Sequence, residues 1–493
     1  MAIEAELIVP SRQDYIAPVI AYVSELARLM GFADKERGEI ELAAEEVFCN
    51  IVEHGFESGQ QEHFRIIFRN DADKLTVIFR EKGIPFDPKG IAAYSPDETK
   101  ANLKAKGLGT YLIRKMVDEV VFCNLGREGK EISLVKYLPK NGDSASREDA
   151  AQADGAAASG QAKRGDVQFT VRRIEKADAV QVAKCAYRTY GYSYAEHVYY
   201  PELIIEYNRN GRLFSAVAVS DDGEIIGYGD LEFPYPGAAI AEVESVFVSP
   251  AYRHTRAFFK LVKFLVEHSR SIGLQGLFCL SVTNHTITQR GAKMMGGTDC
   301  ALLLGFMPES TDFKQIAGKA GQRISVLASY IPLKSRETVN IYPPARHREM
   351  IERIFQAAGI PSVVGGSFER PSSQATELEC EVLRDMNVAS IKVTQAGGDA
   401  AERIRQEVRG YCRERFDIIY LYLDLQHPAT ALLAEQAEHM GFIFAGALPY
   451  GLRGRDALIL QYLNNVTIDA TQIQLASPLA NSIMEYIAGF LES

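Results

Sequence analysis

The chain has 493 residues, of which 47% are hydrophobic, and this predicts several domains that each bury a core. Its net charge of -10, without an Arg- or Lys-rich run, argues against direct nucleic-acid binding. Seven scattered cysteines without a Cys-x-x-Cys pair favour buried thiols in a reducing cytosol over disulfides or a zinc site. Because neither a signal peptide nor a run of about 18 apolar residues is apparent, we expect a cytoplasmic protein outside the membrane.

The first 140 residues predict an α+β domain. Alternating apolar residues predict five strands, at Glu4–Val9, His63–Arg69, Leu75–Arg80, Val120–Cys123 and Ile132–Tyr137. Helical periodicity predicts three helices, at Asp14–Met30, Lys35–His54 and Leu108–Glu119. Such a set forms helices on one face of a mainly antiparallel sheet, an α/β sandwich.

Two polar side chains share one face of the second predicted helix. Glu46 and Asn50 are four residues apart, which is about one helical turn. An Asn amide oxygen can ligate Mg²⁺, and a carboxylate beside it can deprotonate a hydroxyl or water that attacks a γ-phosphate. The alternative is a solvated helix face that also includes Glu41, Glu45 and Glu53.

Glycines mark two turns that suit a nucleotide. Gly83, two residues after Glu81, lets the backbone turn close to a nucleobase, although an ordinary loop explains it equally well. The segment Lys106–Thr110 carries a Gly-Leu-Gly that opens a helix, where backbone N–H groups can bind an anion. The polar segment Asp87–Lys106 is typical of a lid over phosphates.

In combination these segments resemble a known ATPase domain. "LAAEEVFCNIVEHGF", "REKGIPFDP" and "KGLGTYLIRKMVDEV" resemble the three boxes of the domain shared by gyrase, histidine kinases and MutL, and are most similar to its anti-sigma-factor serine/threonine kinase branch. The resemblance implies that Glu46 is the general base and that Asn50 ligates Mg²⁺. It implies ATP contacts from Asn50, Glu81, Gly83, Lys106, Gly107, Gly109 and Thr110. The family normally has Asp where this chain has Glu81, so ATP affinity could fall or the pocket could shift.

Residues 141–166 contain no Val, Leu, Ile, Phe or Tyr and predict a flexible linker after domain 1–140. Strands are predicted beyond it at Gln168–Ile174, Leu213–Val219, Glu224–Leu231, Ala241–Val248, Gly276–Val282 and Ala301–Phe306. Helices are predicted at Ala177–Tyr190, Thr255–Ile272 and Thr286–Met295.

This order, together with "VESVFVSPAYR", resembles a GNAT-family N-acetyltransferase over residues 168–308. The resemblance implies an acetyl-CoA site in which a backbone bulge near Ser245–Val248 bonds the pantetheine arm. Its other groups would be Val246, Val248, Arg253, Arg256 and Asn284. The loop after the strand lacks the family's glycines, so a fold that no longer binds acetyl-CoA is the alternative.

Catalytic groups for acyl transfer are less clear. Glu242 and Glu244 could act as a base, and His285 and Tyr192 are further candidates, although an outward-facing strand residue explains Glu242 as well. The Tyr-rich stretch 191–204 either lines an acceptor pocket or packs internally.

The last block contains a strand, helix and strand that echo residues 276–306. Both runs place a His after the first strand and a Met-Gly after the helix; the pairs are Asn284-His285 with Gln426-His427, and Met295-Gly296 with Met440-Gly441. We therefore predict tandem GNAT-like domains, one at 167–322 and a degenerate one at 323–493.

Three functions follow from these patterns. The first is a regulatory protein kinase that phosphorylates a partner resembling an anti-anti-sigma factor and also binds a sigma factor, with the acetyltransferase-like region as a sensor. The second is an N-acyltransferase regulated by the ATP-binding domain, and the third is a non-catalytic ATP-dependent binding module. Glu46 favours the first, while the missing glycines count against the second. The kinase branch commonly dimerises, so a homodimer is a further expectation.

Overall fold

The computed structural model describes residues 3–57, 62–71, 73–86, 113–138, 168–192, 194–253, 255–309, 321–365 and 375–491. The predicted linker at 141–166 lies outside these residues. Among the described helices, none is both long and apolar enough to cross a membrane.

The amino-terminal domain is a five-stranded antiparallel sheet with helices on one face, which confirms the predicted α/β sandwich. Its strands are β1 (Ile3–Pro10), β2 (His63–Asn70), β3 (Lys74–Glu81), β4 (Glu119–Asn124) and β5 (Lys130–Tyr137). They are ordered β1-β2-β3-β5-β4. Its long helices are α1 (Ile16–Met30) and α2 (Asp34–His54), and residues 113–116 are also helical.

Helix α2 is amphipathic and its sequence explains both its start and its orientation. Glu36 accepts a hydrogen bond from the Ala33 backbone N–H at 2.9 Å, which satisfies a donor at the helix start. The buried residues recur at helical spacing: Ile40, Ala43, Ala44, Val47, Phe48 and Ile51. Phe48 meets Phe64 of β2 edge to face at 5.2 Å, so the opposite, polar face of α2 is held in place over the sheet.

The remainder of the described chain is built on one mixed sheet of thirteen strands. Its first-half strands are β6 (Phe169–Arg173), β7 (Leu213–Ser220), β8 (Ile225–Glu232), β9 (Ile240–Glu242), β10 (Val246–Val248), β11 (Gly276–Val282), β12 (Thr298–Met307) and β13 (Ile324–Pro332). A separate parallel pair follows, β14 (Val339–Ile341) and β15 (Ser362–Val364). The sheet's second-half strands are β16 (Glu377–Leu383), β17 (Val388–Gln395), β18 (Ile418–Asp424), β19 (Ile443–Leu452) and β20 (Arg455–Leu463).

Helices cover this sheet and connect its parallel strands. They are α3 (Ala179–Tyr190), α4 (Pro201–Asn210), α5 (Ala257–Ser271), α6 (Ile287–Met294), α7 (Arg348–Ala357), α8 (Ala400–Arg413), α9 (Thr430–Glu438) and α10 (Pro478–Leu491). Helix α10 packs across β12 and β19, where the two halves of the sheet meet.

The two halves repeat one pairing order. In the first, β9 is parallel to β11, and β13 then pairs antiparallel with both β11 and β12. In the second, β17 is parallel to β18, and β20 then pairs antiparallel with both β18 and β19. The halves join where Ala301 of β12 pairs with Gly446 of β19. Because β13 completes the first half, a division after β13 fits this pairing better than the predicted division at 322/323.

The two histidines that suggested a repeat occupy equivalent turns. The ring Nδ1 of His285 accepts the backbone N–H of Ile287 at 3.3 Å, and that of His427 accepts the N–H of Ala429 at 3.1 Å. Each bond closes the turn that leads into the following helix. This is the arrangement that an internal repeat expects, and it gives His285 a structural role in place of a catalytic one.

Candidate functional site

Glu46 and Asn50 lie together on the polar face of α2, and both are partly exposed. The pKa of the Glu46 carboxyl is raised, first because burial disfavours the carboxylate and then because Glu45 and Glu53 repel its charge. A raised pKa makes a carboxylate a stronger proton acceptor. The helix therefore presents a base and an amide oxygen side by side, as the i, i+4 spacing predicted.

Glu81, the last residue of β3, faces inward. Its Oε1 lies 2.8 Å from the ammonium of Lys130, and its Oε2 accepts a hydrogen bond from the backbone N–H of Gly83. Burial raises the pKa of Glu81, while the charge and hydrogen bond of Lys130 act in the opposite direction. Lys130 also donates to the Ile84 carbonyl at 2.5 Å, so the ion pair closes the turn that follows β3.

The turn at Gly83 needs a glycine because of a close approach within the protein. A Cβ on Gly83 would lie 1.9 Å from the carbonyl oxygen of Gly55, just beyond α2. The neighbouring Ile84 N–H donates to the same carbonyl at 2.7 Å. The turn is thus fastened to the end of α2, about 8 Å along the helix axis from Asn50.

These residues fit ATP and Mg²⁺ in their donor chemistry. Asn50 offers an oxygen ligand, and each Glu81 oxygen can accept a second hydrogen bond. Glu81 is only 3% exposed, so its carboxylate is shielded from solvent in this conformation. The predicted phosphate-side residues Lys106, Gly107, Gly109 and Thr110, and the predicted lid at 87–106, lie outside the described residues.

The strand predicted over Ala241–Val248 is two short strands, because the backbone changes partners in the middle. The Val243 N–H still bonds Phe278 of β11 at 2.8 Å, whereas the Ser245 carbonyl accepts from Asp230 of β8 at 2.8 Å. From Val246 to Val248, β10 pairs with β8 alone among the described strands. The edge of β10 that faces away from β8 therefore pairs with no other strand among the described residues. A pantetheine site requires such an unpaired edge.

Beside this break, His197 lies between two carboxylates. Its Nε2 is 3.0 Å from Asp230 Oδ2, and its Nδ1 is 3.7 Å from Glu244 Oε2. Asp230 is fully buried and also accepts hydrogen bonds from the Tyr228 hydroxyl at 2.8 Å and the Ser245 N–H at 2.9 Å. Asp230 therefore orients the imidazole, as a buried carboxylate does for a histidine that transfers protons.

The acidic residues around His197 are in a low-dielectric setting. Burial, with repulsion from Glu232 and Asp230, raises the pKa of Glu242 to about 8. The pKa of Glu244 is raised well above its ordinary value, first by burial and then by Asp230 and its neighbours. The ligand atoms of His197, Asp230 and Glu244 lie within 4.8 Å of one another, a spacing that could also hold a divalent cation.

Sequence reasoning found Glu242 and Glu244 but missed His197 and Asp230. The available signal was Asp230 itself, an acid that directly follows the run Ile225–Gly229 of β8, which has no charged residue. Tyr192 does not join this cluster, because its hydroxyl donates to the Gly83 carbonyl of the amino-terminal domain at 2.6 Å.

The residues predicted for the cofactor diphosphate lie at the start of α5. Arg253 and Arg256 are exposed there, and the Thr255 hydroxyl accepts the Ala257 N–H at 3.2 Å. Asn284 follows β11, and both of its amide atoms are buried without a hydrogen-bond partner in the described chain. Two exposed cations and an unpartnered buried amide fit the charges and polar groups of acetyl-CoA.

Two family models match the chain in the predicted order. Residues 9–136 match the histidine kinase-like ATPase domain, and residues 180–292 match the acetyltransferase (GNAT) family. The serine-protein kinase RsbW of Bacillus subtilis is 29% identical over 137 residues, which cover 27% of this chain and 84% of that protein. The protein of the same name from Bacillus cereus is 26% identical over 139 residues, which cover 27% of this chain and 85% of that protein.

Among solved structures, the ribosomal-protein-S18-alanine N-acetyltransferase of Escherichia coli is 12% identical, with a TM-score of 0.28. The match covers 34% of this chain and 97% of that one. A TM-score this low carries no functional argument. The family matches confirm both resemblances drawn from the sequence and support an enzymatic activity: residues 9–136 form a histidine kinase-like ATPase domain, and residues 180–292 form a GNAT acetyltransferase domain.

Proposed function

We propose that this chain is an ATP-dependent protein kinase that phosphorylates a serine or threonine of a partner protein. The observation that carries the proposal is the placement of Glu46 and Asn50 on one partly exposed face of α2. It is supported by the similarity of this domain to serine-protein kinases over most of their length. A binding module that only holds ATP would not need Glu46.

In the proposed reaction, the partner's hydroxyl oxygen forms a bond to the γ-phosphorus, the bond to the β,γ-bridging oxygen breaks, and ADP leaves. Glu46 accepts the hydroxyl proton. Asn50 offers its amide oxygen to Mg²⁺, which supplies charge neutralisation at the phosphates when bound. Glu81 and Gly83 contribute the wall of the site that lies beside the adenine.

The partner that fits this proposal resembles an anti-anti-sigma factor, and a sigma factor is a second partner, as in the kinase branch that the domain resembles. A homodimer stays a prediction. The acetyltransferase domain would then act as a sensor for an acyl-CoA or a related metabolite.

Phosphate transfer from radiolabelled ATP to a purified anti-anti-sigma protein tests this function. We expect Glu46→Gln to lower the rate by a factor of about 10²–10⁴, the usual contribution of a general base. Glu41→Gln is the matched control, because Glu41 is a carboxylate on the same helix and is not among the charges that raise the pKa of Glu46. Equal rates for Glu46→Gln and wild type would show that Glu46 is not the base.

N-acyl transfer is the second candidate, and the break between β9 and β10 beside the His197 cluster favours it. The backbone of Val246 and Val248, the arginines at 253 and 256, and Asn284 would hold acetyl-CoA. Acetyl-CoA should then raise the melting temperature of the protein, and a double variant, Arg253→Ala with Arg256→Ala, should reduce that increase. Stabilisation by acetyl-CoA without any effect of ATP–Mg²⁺ would reverse the order of the two candidates.

A further inference from the structure

A short segment of the acetyltransferase domain contacts the nucleotide-side turn of the ATPase domain. This docking segment consists of Tyr192 and residues 194–200. The Tyr192 hydroxyl donates to the Gly83 carbonyl at 2.6 Å. Gly83 is the residue whose N–H is bonded to the Glu81 carboxylate, so its peptide groups are held on both sides.

The docking segment is held by several further contacts. The Asn124 amide donates to the Tyr199 carbonyl at 2.6 Å, and the Arg127 guanidinium donates to the Tyr194 carbonyl at 3.0 Å. Between them, Gly126 lies so close to Tyr200 that a Cβ there would be 2.1 Å from the ring. The contact therefore spans the turn after β3 and the turn between β4 and β5, with complementary hydrogen bonds at each.

With the docking segment in contact, the Gly83 turn is closed over Glu81. Its closure seals Glu81, which is 3% exposed, between Lys130 and Gly83. Glu81 also lies near enough to Tyr187 for its charge to help raise the pKa of that phenol to about 12, after burial. The Tyr192 hydroxyl of the second domain thus holds the turn that buries this acid.

We propose that the acetyltransferase domain inhibits nucleotide binding in the same chain by holding the Gly83 turn closed through Tyr192. The inference rests on the proposed function, since it takes Glu81 as the adenine-binding acid. A ligand that needs the open turn binds with an apparent affinity reduced by the fraction of molecules in which the turn is open. Release of the docking segment therefore raises ATP affinity.

The same segment is tied to the centre of the second domain. His197 lies within it and is held by Asp230 at 3.0 Å. The docking segment therefore contacts both the His197 cluster and the Gly83 turn.

Titration calorimetry of the full chain with ATP–Mg²⁺ tests the sign of this effect. Loss of one hydrogen bond in Tyr192→Phe should lower the Kd for ATP about three- to tenfold. Arg127→Ala should also lower the Kd for ATP, although Arg127 makes no contact with the Gly83 turn itself. Tyr207→Phe is the matched control, because the Tyr207 ring stacks on Arg212 at 4.4 Å within the second domain. The Kd of this variant for ATP should equal that of wild type. An unchanged or higher Kd in Tyr192→Phe overturns the proposal.

Hydrogen exchange without nucleotide separates this proposal from the kinase function. The Ile84 amide, bonded to Gly55, should exchange faster in Tyr192→Phe than in wild type and Tyr207→Phe. Equal exchange means that Tyr192 does not hold the turn, which overturns the proposal whatever ATP does. If no variant binds ATP, the kinase function fails, while faster exchange would still support the restraint of the turn.

Discussion

Removal of the Lys130 ammonium is the sharpest test of the closed turn. The Glu81 side chain is 2% exposed and that of Lys130 is 15% exposed, so Lys130→Met would leave a carboxylate buried without its counter-charge. Loss of one partner of a buried pair typically costs about 3–5 kcal/mol. Both groups come from adjacent strands, because Glu81 and Lys130 are register partners in β3 and β5.

The loss of folding free energy in Lys130→Met should depend on pH, and the burial of Glu81 determines the direction of that dependence. The folded-state pKa of Glu81 is already above its ordinary value of 4.5, and loss of Lys130 raises that pKa further. Because the folded state then binds more protons than the unfolded state, the variant is least destabilised below the unfolded pKa. The cost relative to wild type grows by about 1.4 kcal/mol per pH unit between the folded-state pKa of Glu81 in wild type and its higher folded-state pKa in the variant.

Native-state hydrogen exchange at β3 and β5, measured from pH 5 to pH 8, reports the opening free energy of this domain alone. Lys136→Met is the matched control on the same strand, because its ammonium lies 2.8 Å from Glu39, which is 26% exposed. We expect that control to cost about 1 kcal/mol at every pH. A cost for Lys130→Met that is independent of pH, or equal to that of the control, would refute the reasoning.

Four further substitutions test other parts of the fold. Gly83→Ala should lower the free energy of unfolding of the ATPase domain, measured in urea, by about 1–3 kcal/mol, because of the clash at 1.9 Å. Gly38→Ala, in an open helical position, should instead stabilise it by about 0.5–1 kcal/mol. Gly446→Ala would place a Cβ 2.3 Å from the Ala301 Cα, so exchange should rise at the β12–β19 junction and stay unchanged in the ATPase domain. Because burial raises the pKa of Glu242 to about 8, wild type should lose about 2.7 kcal/mol of unfolding free energy relative to Glu242→Gln between pH 6 and pH 9 in urea unfolding.

Features set by neighbours in sequence were predictable. The spacing of Glu46 and Asn50 fixes their shared face once a helix is assumed, and the apolar stripe of α2 fixes where that face points. The repeated His and Met-Gly signals likewise reflect local requirements. His285 and His427 each close a turn before a helix through the same i, i+2 bond, and Gly296 and Gly441 both have a positive φ.

Features set by contacts distant in sequence were not predictable from local patterns. Tyr192 and Gly83 are 109 residues apart, and His197 and Asp230 are 33 apart. Neither pair leaves a periodic or compositional trace. The break between β9 and β10 was anticipated only through the GNAT resemblance, because the sequence from Ala241 to Val248 alternates as one continuous strand.

The Glu81 position shows why a departure from a family pattern must be judged with its partners. The additional methylene extends the carboxylate by about 1.5 Å relative to Asp. At that reach one oxygen accepts the Gly83 N–H and the other pairs with Lys130 across the strand. The glutamate and the lysine therefore act as a unit that closes the turn. If Glu81 is the adenine-binding acid, as the proposed function takes it to be, ATP binding is coupled to release of this unit and of the Tyr192 hydrogen bond to Gly83.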